Sequence, residues 1–354
     1  MGAITGAQAK MAAKVASTWD TATTASTGDQ LDGVTIAVNE NAEALSVPPI
    51  GSGLSMLSQT DRGNIAPSVS ISGPMTYASP QQVGMAVFFG GASVQAIGGG
   101  AYCHSVINNL NRNKFLTVAY QAHSASAGAV ELPTVAFQKL TVKQENPASY
   151  TEITLDGLAS QQKIASTTNT YASLAAVTAT DSKRVVFSFA SEFLINAQAG
   201  GALSSPTDRV NITSAILELE KPEEFALEAK GASGNGVPVA TGDYPFTGKL
   251  TVTFRTLADF TYITAHQAGT EYKASLTTTG DVIGGGNSYT FQYNLPRMKI
   301  VESPDVGLSE AGNNSLTVTF QLLVASSTAT GMLAEALGYP YMRIINARST
   351  SLLA

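Results

Sequence analysis

A chain of 354 residues is long enough for two domains of ordinary size and for a sizeable buried core. Charged side chains make up only 13% of it, and Ser, Thr, Ala, Gly and Asn fill the spaces between short apolar runs, a texture of β-rich assemblies rather than of helical enzymes. Twenty basic against 26 acidic side chains leave a net charge of −6 with no Lys/Arg run, which argues against specific nucleic-acid binding. The single cysteine, Cys103, rules out an intrachain disulfide or a thiolate metal cluster built by one chain, and its expected place is a small buried apolar site.

The opening residues, MGAITGAQAKMAAKVASTWD, lack the apolar core of a signal peptide, and no window approaches about 18 consecutive apolar residues, so neither export nor a membrane anchor is expected. The Met-Gly start has no Ser/Thr at the sixth position, which a myristoylation signal needs. Residues 1–33 are small and polar with weak periodicity, and they are expected to form an arm that orders only against a neighbouring subunit. From Val34 the chain changes to short β-branched runs such as VTIAV and PSVSISG, separated by breaks such as SVPPIGSG.

The next signal is a strand followed by a capped helix. The alternating run Val69 to Tyr77 meets Ser79 as N-cap, Pro80 at the first helical position, a short apolar helix and a stop at Gly90-Gly91. Further on, Leu250 to Leu257 meets Asp259 as cap, a helix from about Phe260 and a stop at Gly269. The two caps lie 180 residues apart. A second pair matches as well: Glu131 to Ala159 and Asn294 to Ala325 each carry Leu-Pro, a short strand, a polar turn with proline and a longer alternating strand. Here the offset between Pro133 and Pro296 is 163, so matched halves require a loop-length difference. Two matched units in one order predict a duplicated domain, with β-rich units at 34–158 and 184–354 and a Ser/Thr/Ala-rich linker at 159–183. Both prolines, unable to donate to a ladder, are expected at a strand start or an edge. The Gly/Pro-rich segment Gly231 to Pro245 is expected, like the arm, to act between subunits.

GDVIGGGNSYTF, Gly280 to Phe291, has neither the lysine of a phosphate loop nor a following helix, and Tyr289, Phe291 and Tyr293 alternate as a strand, so the glycines read as a turn. The likeness of Gly98–Gly100 to Gly284–Gly286 does not fit the repeat and is read as chance. His104, His123 and His266 are far apart and lack ligand spacing, GASGNG misses a nucleophile elbow, and Glu218, Glu220, Glu223 and Glu224 are not spaced as a calcium loop. No catalytic, cofactor-binding or metal-binding residue is therefore assigned, no cofactor is expected, and the acidic cluster is read as a solvated strand end.

The FTGKLTVTFRTLADF unit, the strand pair LPRMKIVESPDVGLSEAGNNSLTVTFQLL and the terminal INARSTS resemble the tail tube proteins of long-tailed bacteriophages, particularly those with two tandem tube domains. The likeness covers most of residues 34–350. It implies a mainly β fold of two tandem β-sandwich or half-barrel domains, each with a short flanking α-helix. It further implies self-assembly into a trimeric ring of pseudo-sixfold symmetry, and ring stacking into a hollow tube around a tape-measure protein. A tail terminator and baseplate or tip proteins would be partners, genome DNA would pass without specific binding, and the place would be a virion tail assembled in the host cytoplasm. The function expected is thus that of a non-enzymatic structural virion protein. The alternatives are another virion component, such as a decoration or tail-terminator protein, a β-sandwich receptor- or carbohydrate-binding adhesin and, last, a β-rich hydrolase with a scattered triad.

Overall fold

A computed structural model of the chain describes residues 10–40, 42–47, 59–109, 113–121, 128–180, 183–225, 235–241, 246–254, 261–307 and 315–354. The fold is mainly β. The first half runs β1 (Met11–Ala16), β2 (Gln30–Leu31), β3 (Thr35–Asn39), β4 (Ala42–Val47), β5 (Gln59–Ile65), β6 (Ser68–Pro74) and α1 (Pro80–Phe89). It continues through β7 (Gly90–Gly98), β8 (Ala101–Asn108), β9 (Phe115–Gln121), β10 (Ala129–Glu145), β11 (Ser149–Tyr150), β12 (Glu152–Ala159), β13 (Lys163–Ile164) and α2 (Tyr171–Ala175). The second half runs β14 (Val186–Phe187), β15 (Glu192–Ala197), β16 (Arg209–Val210), β17 (Ile212–Glu220), β18 (Glu223–Phe225), β19 (Pro238–Ala240), β20 (Thr247–Phe254) and α3 (Thr261–Ala268). Its last strands are β21 (Glu271–Gly284), β22 (Asn287–Ile300), β23 (Asp305–Gly307), β24 (Ser315–Leu322) and β25 (Tyr341–Asn346).

One pattern of antiparallel ladders occurs twice. In the first half β1 pairs with β2 and β9, β3 with β6, β6 with β12, β12 with β10, β10 with β9 and β13, and β4 with β5. In the second half β15 pairs with β16 and β21, β17 with β20, β20 with β24, β24 with β22, β22 with β21 and β25, and β18 with β19. The first half carries an extra hairpin, β7–β8, between α1 and β9, whereas α3 leads straight into β21. That insertion lies between the matched cap and the matched proline, and it lowers the offset from 180 to 163.

The two halves share their hydrogen bonding. Beyond the end of its β9 ladder, β10 pairs over Lys139 to Glu145 with Glu220 to Ser214 of β17. The strands β3–β6–β12–β10 therefore continue into β17–β20–β24, and β23 lies along the end of β24. A second seam joins β25 to β8 of the inserted hairpin. Leu140, Val142, Leu217 and Leu219 are buried at the first seam, and burying such a side chain contributes about 1.5–3 kcal/mol. One apolar cluster accordingly runs through both halves. The sequence pattern predicts two units, but the seam makes them one sheet.

The residues expected to be a linker, 159–183, are packed. Ala159 is the buried end of β12, Lys163 and Ile164 pair with Glu131 and Val130, and Leu174 of α2 is buried, with Thr170 capping that helix through Ser173 N–H. The buried amide of Asn169 donates to the buried carboxylate of Glu131 at 2.7 Å. Likewise the arm expected at 1–33 contributes two strands to the chain's own sheet. β1 lies along β9, β2 along β1, and the Trp19 ring sits 4.9 Å from that of Phe115 with its N–H donating to Asn235 O at 2.8 Å. Ala12, Ala13 and Ala16 carry little hydropathy signal, and only the neighbouring strand decides that they are buried. Residues 1–9 lie outside the described residues.

Helix α1 follows its local signals. Ser79 Oγ accepts from Gln81 N–H, Pro80 opens the helix, and Gly90 closes it at φ 83, a left-handed value that favours glycine. Every residue of α1 is buried, including Gln81 and Gln82, whose amides donate to Pro74 O and Thr76 O. A Cβ at Gly84 would stand 2.6 Å from Leu155 Cδ1, so the missing side chain lets the helix approach the sheet. The second helix, α3, is described from Thr261 and stops before Gly269 at φ 66, while its expected cap Asp259 and Phe260 lie outside the described residues.

Pro133 and Pro296 are neither at strand starts nor on an edge strand. Pro133 falls inside β10 where the register to β9 shifts between Leu132 and Val135. Pro296 falls inside β22, at the matching shift between its partners Tyr272 and Ala274 on β21, and in the gap between the β25 and β24 ladders. A bulge tolerates a residue without N–H, which is how both sit mid-strand, at equivalent points of the repeat.

Candidate assembly and channel-lining surface

The sheet from β3 to β24 has two unlike faces. One is apolar and buried: Val69 and Ile71, Ile153 and Leu155, Leu140 and Val142, Leu217 and Leu219, Leu250 and Val252, Val318 and Phe320 all lie on it. Strict alternation places polar residues opposite. Register lines run across that second face through Thr35, Ser72, Thr154, Thr141, Glu218, Lys249 and Gln321, and through Glu152, Lys143, Ile216, Thr251 and Thr319. It is therefore a broad, Ser/Thr-rich face with few apolar groups.

Its ion pairs sit at the seam between the halves. Lys139 Nζ lies 3.3 Å from Glu218 and 3.0 Å from Glu220, and Lys249 Nζ lies 2.9 Å from Glu218. Burial works against the Glu218 charge, but hydrogen bonds from Lys249 and Lys139 outweigh it and hold the carboxyl below the usual carboxylate range. Glu218 thus bridges three strands, whereas Glu220, half-exposed as the last residue of β17, is a solvated strand end. Glu223 and Glu224 lie on β18, paired with Ala240 and Val239 of β19. Of Gly231 to Pro245, residues 235–241 are described: Asn235 donates to Ile65 O at 2.6 Å and β19 completes a hairpin, and the rest of that segment lies outside the described residues.

The two ends of this sheet differ from its interior. Among the described residues β3 forms a ladder only with β6, and β23 only with β24. Ile36 and Val38 point to the apolar face but remain half-buried, whereas Ala215 and Leu217 at the matching places of β17 are fully buried.

The glycine triplets are hairpin turns, and they meet. Gly99 and Gly100 have φ 61 and 76, and Gly285 and Gly286 have φ 59 and 81. A Cβ on Gly99 would stand 2.3 Å from Gly284 O, and Asn287 Nδ2 donates to Gly98 O at 3.0 Å. The hairpins β7–β8 and β21–β22 are not equivalent in the repeat, yet β25 lies between β8 and β22 and brings their tips together. The triplets' likeness lies outside the repeat, as the sequence alignment indicates, and the folded chain brings the two turns into contact. Tyr289, Phe291 and Tyr293 share one buried face after the turn, as the alternation indicates.

The remaining candidates are dispersed. His104 is buried, with Nε2 3.0 Å from both Asn346 Oδ1 and Arg348 O, and burial lowers its pKa. His266 Nδ1 lies 3.4 Å from Ile300 O, and His123 lies outside the described residues. No group of three or more His, Cys, Asp or Glu capable of holding a metal occurs among the described residues. Cys103 is buried beside Arg343. No helix among the described residues is long and apolar enough to cross a membrane. The chain matches no protein-family model and no curated protein.

Proposed function

We propose that this chain is the structural subunit of a bacteriophage tail tube, assembling into rings that stack into a hollow conduit for the genome. The observation that carries this reading is the repeat itself: one chain holds two copies of a β unit, and the second extends the sheet of the first edge to edge. A heterologous contact of this kind generates a ring when its rotation closes. Three chains supply six units, the trimeric, pseudo-sixfold ring that the tail-tube likeness implies. The Ser/Thr-rich face supports the reading, because a wall dense in Lys/Arg would hold phosphates through counterion release, and here Lys139 and Lys249 are neutralised by Glu218 and Glu220. In this proposal the polar face lines the lumen and the apolar face with α1 lies outside it. A tape-measure protein in the lumen, terminator and baseplate or tip proteins at the tube ends, and a place in the virion tail belong to the same proposal.

Electron microscopy of the purified chain tests it. Hollow filaments of constant diameter are the expected result. Single rings that never stack would favour a tail-terminator role, and monomers at high concentration would favour a decoration protein or an adhesin.

A further inference from the structure

The seam inside the chain sets a register that the repeat carries to the outer strands of the sheet. At the internal seam Val142 of β10 stands opposite Ile153 of β12 on one edge and Leu217 of β17 on the other. The repeat gives each of these a counterpart. Ile153 and Leu155 pair with Gly73 and Ile71 before α1, as Leu316 and Val318 pair with Phe254 and Val252 before α3. Leu316 is therefore the counterpart of Ile153, and its partner Val306 on β23 is the counterpart of Val142. On the other side, Ile36 and Val38 pair with Ile71 and Val69, as Ala215 and Leu217 pair with Val252 and Leu250. Val38 on β3 is thus the counterpart of Leu217.

The geometry points to a head-to-tail junction in which β23 of one chain pairs antiparallel with β3 of the next, with Val306 opposite Val38 and Gly307 opposite Ala37. This rests on the tube-subunit reading for its occupant, a second copy of the chain, but the strand pair and its register come from the internal repeat. Two further observations support it. The edge of β3 from Thr35 to Val38 that faces away from β6 carries no ladder among the described residues, and an edge left in this state is a template for pairing. Ile36 and Val38 also sit on the core side of the sheet half-buried, and a strand laid beside them would complete the burial that Ala215 and Leu217 have at the internal seam. The junction joins unlike edges, so each chain keeps one of each for the next copy, and growth ends only when the ring closes.

The test is disulfide trapping in the full chain. A double variant, Val38→Cys with Val306→Cys, is oxidised and run on a non-reducing gel, beside the single variants and a second double variant, Ala37→Cys with Gly307→Cys. Directly opposite residues in an antiparallel pair bring their Cβ atoms to about 4.5–5.5 Å, within reach of a disulfide after small adjustment. The expected result is a ladder of covalent oligomers ending at the closed ring for at least one double variant, no ladder from either single variant, and only dimers from an equimolar mixture of the two singles. Assembled rings or tubes without cross-linking in either double variant would overturn this strand pairing and leave the tube reading standing. Cross-linked closed rings that do not stack would support the junction and count against the tube. Cross-links confined within one chain, or monomers without cross-links, would overturn the junction.

Discussion

Gly157 lies on β12 where the β10 ladder shifts register, and its substitution by alanine puts a single methyl into a site bounded by backbone. A Cβ there would stand 2.4 Å from Ala136 O, 2.9 Å from Phe137 Cα and 3.0 Å from Ala136 C. Relief to ordinary contact needs a shift of about 1 Å, since real Cβ atoms seldom come closer than 3.4 Å. Backbone cannot rotate away as a side-chain end can, and Ala136 and Phe137 are fully buried. Overpacking of this kind costs about 1–3 kcal/mol, and rigid neighbours put Gly157→Ala near the upper end, roughly 3 kcal/mol. Gly201→Ala is the control: its Cβ meets nothing within 4 Å and its φ is not left-handed, so the change is expected to be neutral or to stabilise by about 0.4–1 kcal/mol. Urea unfolding followed by emission of Trp19, the only tryptophan, reads both. With a slope of about 3 kcal/mol per molar urea, the Gly157→Ala midpoint falls by about 1 M. A Gly157→Ala midpoint indistinguishable from wild type, or an equal loss in Gly201→Ala, would refute the packing argument.

Two further substitutions are read by the same assay. Arg297 grips Glu271 with two hydrogen bonds, 2.6 and 2.8 Å, and both side chains are about one-third exposed, so Glu271→Gln is expected to cost about 1 kcal/mol at neutral pH. The Arg297 hydrogen bond holds the Glu271 carboxyl below its usual 4.5 in the folded chain, so its contribution is complete above that pH and is lost as pH falls below it. The Gln variant should therefore lose less between neutral pH and about pH 3.5 than wild type does, and parallel acid limbs would contradict this. Ser79→Ala removes the cap of α1 and a buried hydroxyl that also bonds Gln81, and is expected to lower stability by about 1–2 kcal/mol, with no loss as the contrary result.

The elements legible in the sequence are those whose cause is local. Ser79, Pro80 and Gly90 set both ends of α1 because a cap, a fixed φ and a left-handed stop each act within one turn. Alternation in Ile212–Glu220, Thr247–Phe254 and Ser315–Leu322 identifies strands and their buried faces, and the repeated units carry enough of it to reveal the duplication. The turn at Gly285 and Gly286 follows from φ values that other residues avoid. What depends on a distant partner is not written in any local stretch. The alanines of β1 are buried only because β9 lies beside them, β13 is a packed piece only because Val130 and Glu131 pair with it, α2 only because Ala12, Ala119 and Ala129 cover Leu174, and Pro133 and Pro296 fit mid-strand only because a neighbouring ladder shifts there. Glu218 reads as a solvated acid until Lys139 and Lys249 arrive from other strands. The joining of two units into one sheet is of the same kind: period-two patterning says which face of a strand is buried, and both edges of every strand offer the same N–H and C=O groups. Only the tertiary arrangement, through side-chain packing across the seam, decides which edge meets which.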